Sequence, residues 1–190
     1  MDTDGGLDRL AAPAASKRLR YSALNPANVG RLLPILSDPK VAGSTFDLPV
    51  IYTLADAQAW CASDPGDWRF IVERRDNGAA VGMVGAYLTS CEPGARTLEV
   101  GFLIAPAQWG RGFATEALES LLARCKASIP GVRVTSSAFS DNPASARVLS
   151  KCHFARRGVR SIWSRERNTT YAVLLFDQQT APEPAPRPKP

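Results

Sequence analysis

Read from its amino end, the chain switches its hydrophobic period several times. Leu19 and Tyr21 alternate with Arg18, Arg20 and Ser22, which predicts a first strand. Asn25 then offers an N-cap and Pro26 a first helical residue, with Val29, Leu32, Leu33 and Leu36 along one helical face. Pro34 falls inside that pattern and is expected to kink or shorten the helix. A second helix is predicted from Thr53, where Thr-Leu-Ala-Asp makes a capping box with Asp56 in the place of Glu, and Ala57, Trp60 and Cys61 form its apolar face. Asn77-Gly78, flanked by Trp68–Arg74 and Ala79–Thr89, is a hairpin turn, and Thr97–Ile104 continues the meander as a third strand.

The longest helix is predicted over Phe113–Ser128. There Ala114, Ala117, Leu118, Leu121, Leu122 and Cys125 recur at helical spacing, and Pro130-Gly131 stops the run. Arg133–Phe139 reads as a strand, Asn142–Cys152 as a short helix, and Ala155–Trp163 and Thr169–Phe176 as two final strands. This order predicts an α+β domain: one mixed central sheet of six to seven strands flanked by about four helices, with the long helix crossing over to a parallel neighbour. One domain is expected over residues 17–178, between a small, polar, disordered segment at 1–16 and a proline-rich disordered tail at 179–190.

Composition narrows the class. The 190 residues can bury one sizeable core, and no run approaches the roughly 20 apolar residues of a membrane span. The first residues carry Asp2, Asp4 and Asp8 and lack the pattern of a secretory signal. Cys61, Cys91, Cys125 and Cys152 are widely spaced without a CxxC pair, which fits reduced thiols in a cytoplasmic protein better than disulfides. With a single histidine, no metal site is expected. The net charge of +5 calls for an anionic partner, but the basic residues form no long block. The densest stretch is Arg156, Arg157, Arg160, Arg165 and Arg167, interrupted by Glu166 and without interleaved aromatics. That argues for a poly-anionic small molecule ahead of nucleic acid. Oligomeric state is not readable, and a homodimer stays open.

The most informative stretch is the strand Leu98–Ile104, which ends in Ala105-Pro106 and turns through Trp109-Gly110-Arg111-Gly112-Phe113-Ala114 into the long helix. Gly110 and Gly112 remove β-carbons, so successive N–H groups can converge on an anion at the positive end of the helix dipole. A Walker loop would need Gly-Lys-Ser/Thr where Gly112-Phe113 stands, and the three glycines of a dinucleotide fingerprint are missing. A tight strand-to-helix turn alone would also account for the two glycines.

Ile104-Ala105-Pro106 followed by Trp109-Gly110-Arg111-Gly112-Phe113-Ala114-Thr115-Glu116-Ala117 resembles the coenzyme A pyrophosphate motif of the GNAT acetyltransferase superfamily. Trp109, in the place of the usual Arg or Gln, makes it similar to the branch of ribosomal-protein N-terminal (Rim-type) acetyltransferases. Three further segments fit in order: Thr53–Ala57, Leu98–Phe102, and Asp141–Ser145 through Lys151–Phe154. The resemblance implies an enzyme that moves an acetyl group from acetyl-coenzyme A to a primary amine, by direct transfer in a ternary complex. It implies cofactor contacts from Leu103, Ile104, Trp109, Gly110, Arg111, Gly112, Phe113, Ala114, Thr115, Asn142, Ser145 and Lys151.

Such a transfer needs a neutral amine, a polarised thioester carbonyl and a proton for the leaving thiolate. An α-amine with a pKa of about 8 is roughly a tenth neutral at neutral pH, so a modest base suffices; lysine, at about 10.4, asks for more. Glu99 stands where many superfamily members have a catalytic glutamate, and a solvated or ion-paired strand residue is the plain alternative. Ser145 shares a helical line with Val148, Leu149 and Cys152, so its hydroxyl is expected to turn inward. In the Rim-type branch the matching serine lies near the thioester sulfur. The tyrosine that other members use four positions later is Leu149 here, which leaves Ser145 or a water as the acid. A bond from Ser145 back to its own helix is the competing reading. The backbone N–H of Ile104 is the candidate oxyanion donor. His153 replaces a family glycine and is expected to serve a left-handed turn. Tyr171 either lines the acceptor pocket or packs in the core. Acceptor choice falls to Leu36–Val50 and the last hairpin, which carry no motif. The acceptor is therefore a protein or peptide N-terminus or, alternatively, a small amine such as an antibiotic, amino acid or polyamine. A non-catalytic acyl-coenzyme A sensor would dispense with Glu99 and Ser145.

Overall fold

Alternation of apolar and polar residues produces strands β1 (Leu19–Ala23), β2 (Trp68–Arg74), β3 (Ala80–Glu92), β4 (Ala95–Ile104), β5 (Arg133–Phe139), β6 (Phe154–Ser164) and β7 (Thr169–Gln178). They form one sheet in the order β1-β2-β3-β4-β5-β7-β6. The computed structural model describes residues 15–45, 51, 53–63, 68–92, 95–164 and 169–178. Every neighbouring pair is antiparallel except β4 and β5, which run parallel. Parallel neighbours need a crossover, and α4 (Phe113–Ser128) supplies it, over the residues the periodicity predicts.

The helical stretch after β1 departs from expectation. One helix from Pro26, kinked or shortened at Pro34, is the expectation; Pro34 has no N–H and its ring would meet the carbonyl four residues back, and the interruption goes further than a kink. The chain instead winds Val29–Leu32 as a 3-10 turn and restarts as the single turn α1 (Leu33–Leu36), with Pro34 in the first turn where its missing donor costs nothing. Asn25 is a cap, but of the turn: its Oδ1 accepts from Ala27 and Asn28. A second short helix, α2 (Pro39–Ala42), was not expected, although Asp38-Pro39 announces it; the Asp38 carboxylate accepts the Lys40 N–H at 2.8 Å. α3 (Leu54–Ala62) begins at the Thr53–Asp56 capping box. α5 (Pro143–Lys151) starts under the Asn142 cap and ends in His153 at φ 64°, the left-handed turn anticipated for that residue. Among the described residues five helices thus flank the sheet, two of them single turns.

The sheet separates two apolar clusters. On one face Leu98, Val100 and Ile104 of β4 pack with Phe113, Ala117, Leu118, Leu121 and Leu122 of α4 and with Leu149 of α5. On the other, Ile71, Met83 and Leu103 pack with Leu32, Ile35, Leu36, Val41 and Ala57. Among the described residues no helix is long and apolar enough to cross a membrane. Of the segments expected to be disordered, residues 1–14 and 179–190 lie outside the described residues. Ala15 and Ser16 are placed, and Ala15 bridges to Arg20.

A buried carboxylate ties the first edge together. Glu73 on β2 receives Arg20 of β1 at 2.7 Å, pairs with Arg31 of the 3-10 turn, and accepts from Ser22. Arg31 also donates to the Gly78 carbonyl in the hairpin turn. Both arginines keep about half their surface in water and can rehydrate when the carboxylate is lost. Glu73→Ala is therefore expected to cost about 1–3 kcal/mol, less than a fully buried pair would. A denaturant midpoint equal to that of the wild type would show that the cluster contributes nothing.

The described cysteines are free thiols, and the Cys91 side chain lies outside the described ones. Burial pushes Cys125 and Cys152 up to about 12, and burial also raises Cys61. At about pH 8 the thiolate population of Cys125 and Cys152 is then on the order of one in ten thousand. Iodoacetamide should leave both unmodified in the native protein and label them once it is denatured. Fast native labelling at either position would contradict this burial.

Candidate active site

The site grows from a fork in the sheet. Parallel pairing of β4 with β5 runs only from Thr97↔Arg133 to Glu99↔Thr135. At the branch point the buried Ser136 hydroxyl donates to the Val100 carbonyl at 2.7 Å, and Thr135 Oγ1 donates to the Leu98 carbonyl at 3.3 Å. These bonds show that the even-numbered residues of β4 turn their backbone groups toward β5. Beyond Val100 the strands part, so the backbone of Phe102 and Ile104 faces the gap. The Ile104 carbonyl accepts from Trp109 Nε1 at 2.6 Å, while the N–H groups of Phe102 and Ile104 face the gap.

β4 then passes through the 3-10 turn Pro106–Gln108 into the glycine loop. Gly110 (φ 74°) and Gly112 (φ 79°) adopt the left-handed conformation on either side of Arg111. Alternating handedness of this kind turns successive N–H groups to one side. The first intrahelical bond of α4 runs from the Glu116 N–H to the Gly112 carbonyl. The N–H groups of Phe113, Ala114 and Thr115 therefore point out of the helix end.

Fork and loop open into one crevice of about 350 Å³. Its walls include Leu103, Ile104, Trp109, Gly110, Gly112, Phe113, Ala114 and Thr115 on one side, and Asn142, Ser145 and Lys151 of α5 on the other. Of the expected catalytic and cofactor-binding residues, Arg111 and Glu99 are not among its walls. The Arg111 guanidinium donates to Gln108 Oε1 at 2.6 Å and lies 5.4 Å from the Phe113 ring centroid, both of them crevice walls. Glu99 lies on the opposite face of β4 from Leu98 and Val100, at the last paired position before the fork.

The Glu99 carboxylate accepts from Ser137 Oγ at 2.8 Å. Tyr87 is its cross-strand neighbour, and the Tyr87 ring lies over Gly85 and Gly101, where a β-carbon would meet it. Asn142 Oδ1 accepts the Ser145 N–H at 3.1 Å, which explains the Asn142 cap. Among the described residues the Ser145 hydroxyl makes no bond to its own helix, so the back-bonded arrangement is not the one adopted; the side chain is half-buried in the crevice wall. His153 is exposed and is not part of that wall. The Tyr171 ring packs against Phe139 at 4.9 Å on the sheet face that carries Ser137.

Sequence reasoning missed several members. Arg147 lines the crevice one turn before Lys151, and the i, i+4 spacing was the available signal. Val41 and Ser44 close the far end from the α2 region, where no motif announces them. Ser137 reaches Glu99 only through the parallel register, which local pattern does not encode.

The profile of the GNAT acetyltransferase domain matches residues 18–155. The chain is 30% identical over 108 residues to the uncharacterized N-acetyltransferase YoaA of Bacillus subtilis; the match covers 57% of this chain and 60% of that protein, so it spans less than two thirds of its relative. A GNAT-family acetyltransferase from Bacillus anthracis superposes with a TM-score of 0.74 at 19% identity, over 87% of this chain and 97% of that one. The ribosomal-protein-S5-alanine acetyltransferase of Vibrio fischeri superposes at 0.73 with 12% identity, over 88% and 96%.

The glycine loop yields a direct test. A β-carbon at Gly110 would meet open space, whereas one at Gly112 would lie 3.4 Å from Arg18 Nη2. Alanine at either position carries the left-handed penalty of about 1–2 kcal/mol, and at Gly112 it also comes into ordinary contact with the tip of Arg18. Alanine at either position is expected to weaken coenzyme A binding by about tenfold. Unchanged affinity in Gly112→Ala, read by calorimetry, would remove the loop from the binding site.

Proposed function

The chain belongs to the GNAT acetyltransferase family, and on that premise we propose that it transfers an acetyl group from acetyl-coenzyme A to a primary amine, most naturally the N-terminus of a protein or peptide. The observation that carries the reading is a single crevice joining a glycine cradle with convergent N–H donors to the fork between β4 and β5. A diphosphate fits the cradle, and an extended thioester arm fits the gap, where backbone donors stand open. Leu103, Ile104, Trp109, Phe113, Ala114, Thr115, Asn142, Ser145 and Lys151 line the cofactor's path. Gly110, Arg111 and Gly112 contribute main-chain groups.

At the fork the amine nitrogen attacks the thioester carbon. Glu99, held by Ser137, takes the amine proton directly or through water. The negative charge that develops on the carbonyl oxygen falls to the Ile104 N–H. When the carbon–sulfur bond breaks, the thiolate takes a proton from the Ser145 hydroxyl, which regains one from water in the same step, or from a water that Ser145 orders, and Glu99 then returns the amine proton to solvent. Charge is balanced at each step, and the acetyl group passes straight to nitrogen. An α-amine acceptor agrees with a modest carboxylate base, since roughly a tenth of such amines are already neutral near pH 7. A solved neighbour of this fold is a ribosomal-protein-alanine acetyltransferase, in line with the same acceptor class. A small amine would use the same chemistry.

Glu99→Gln is expected to lower turnover by about a hundredfold or more while coenzyme A affinity holds; Ser145→Ala should lose at least about tenfold. Full turnover in either variant would dismiss that residue from the mechanism. The acceptor is read by released thiol over a panel of N-terminal peptides and small amines. Release with peptides alone supports the assignment, and release with small amines alone overturns it. Tight coenzyme A binding without release on any amine would favour a sensor.

A further inference from the structure

Arg18, ninety residues before the glycine loop, reaches the outer side of that loop with its whole side chain. Its backbone N–H and its Nε each lie 2.6 Å from the Glu116 carboxylate in the first turn of α4. Its Nη1 donates to the Arg111 carbonyl at 3.0 Å, and its guanidinium lies 4.7 Å from the Phe113 ring centroid. Ser16 Oγ adds a bond to the same carboxylate at 2.8 Å. Burial works against the Glu116 charge, but the bonds from Arg18 and Ser16 outweigh it and hold the carboxyl below its usual range.

The contact with Arg111 has a geometric consequence. In a trans peptide the carbonyl of one residue and the N–H of the next point in opposite directions. Arg18 is not among the walls of the crevice, while Gly112 is. Fixing the Arg111 carbonyl on the outer side therefore turns the Gly112 N–H inward. The left-handed Gly112 could otherwise rotate, because glycine populates both signs of φ with little preference.

We infer that Arg18 is a positioning residue for the diphosphate of coenzyme A. It acts through the Arg111–Gly112 peptide and the first turn of α4, and it never touches the ligand. This rests on the reading of the crevice as the coenzyme A site. The two bonding partners of Arg18 set different parts of the cradle: Glu116 anchors the helix end, and the Arg111 carbonyl sets the peptide. A lysine can pair with Glu116, but it has no planar fork with which to reach the carbonyl at the same time.

The test compares coenzyme A with pantetheine, which occupies the fork but carries no diphosphate. Arg18→Ala should raise the Kd for coenzyme A about tenfold and leave pantetheine within about twofold; with acetyl donor, KM should rise while kcat holds. Arg18→Lys should show the same selective loss while melting closer to the wild type, and it carries the reading if the alanine variant does not fold. Equal weakening of both ligands, or a lowered melting temperature with unchanged affinities, would reduce Arg18 to a structural ion pair and overturn the proposal. Wild-type protein that does not bind coenzyme A would defeat the cofactor assignment and this inference with it. Wild-type binding with unchanged variants defeats the inference alone.

Discussion

The separation of two parallel strands is the constraint on which the rest of the molecule depends. A sheet normally satisfies its own donors and acceptors, and an unpaired buried group costs about 1–3 kcal/mol. β4 and β5 stop pairing after Glu99 and Thr135, and two of the carbonyls beyond that point find partners within the chain. Ser136 fills the carbonyl of Val100, and the Trp109 indole fills that of Ile104. Those two acceptors are capped from within, while the backbone N–H groups of Phe102 and Ile104 face the crevice. That asymmetry suits a ligand whose arm brings carbonyl groups and whose reaction develops negative charge on oxygen.

A split sheet has to be held together by something other than its ladder. The core beneath α4 and α5 takes Leu98 and Val100 from one side of the fork and Val134, Ala138, Phe154 and Phe176 from the other. α4 thus has three jobs that follow from one position: it makes the right-handed crossover, bridges the two parts of the sheet, and presents its N-terminus at the gap. The loop that feeds it is braced twice, from inside by Trp109 on Ile104 and from outside by Arg18 on Arg111. A braced loop has already lost the conformational freedom that binding would otherwise remove.

The parts of this arrangement that obey a local rule were legible in the sequence. α4, the capping box at Thr53, the Asn142 cap, the hairpin at Asn77-Gly78 and the left-handed His153 each follow from residues within one turn of one another. Even the interrupted helix after β1 was half announced by Pro34; what periodicity could not supply was where the chain would restart. The site divides the same way. The glycine cradle and the inward line of Ser145 are local features. The grip of Ser137 on Glu99 and of Arg18 on Glu116 depends on which strands become neighbours, and pairs 38 and 98 residues apart leave no trace in a hydrophobic pattern. Arg111 adds a contact of its own that no motif announces: its guanidinium is engaged by Gln108 and Phe113, both walls of the crevice.

The fork also constrains how the acyl group can travel. The crevice is walled by α4, α5 and the α2 region, while Glu99, Tyr87 and Ser137 lie on the sheet face turned from α4. A covalent acyl-enzyme would need a nucleophile in that crevice. Cys125 and Cys152 are sealed in the core beneath α4, with thiols pushed up to about 12, and Cys61 belongs to α3. The Glu99 carboxylate is a weak nucleophile toward a thioester, but its place at the edge of the gap suits it to take a proton. Among the described residues no cysteine side chain belongs to the crevice wall. On the face that carries Glu99, Tyr87 lies over the glycine pair Gly85 and Gly101, a floor that no motif encodes.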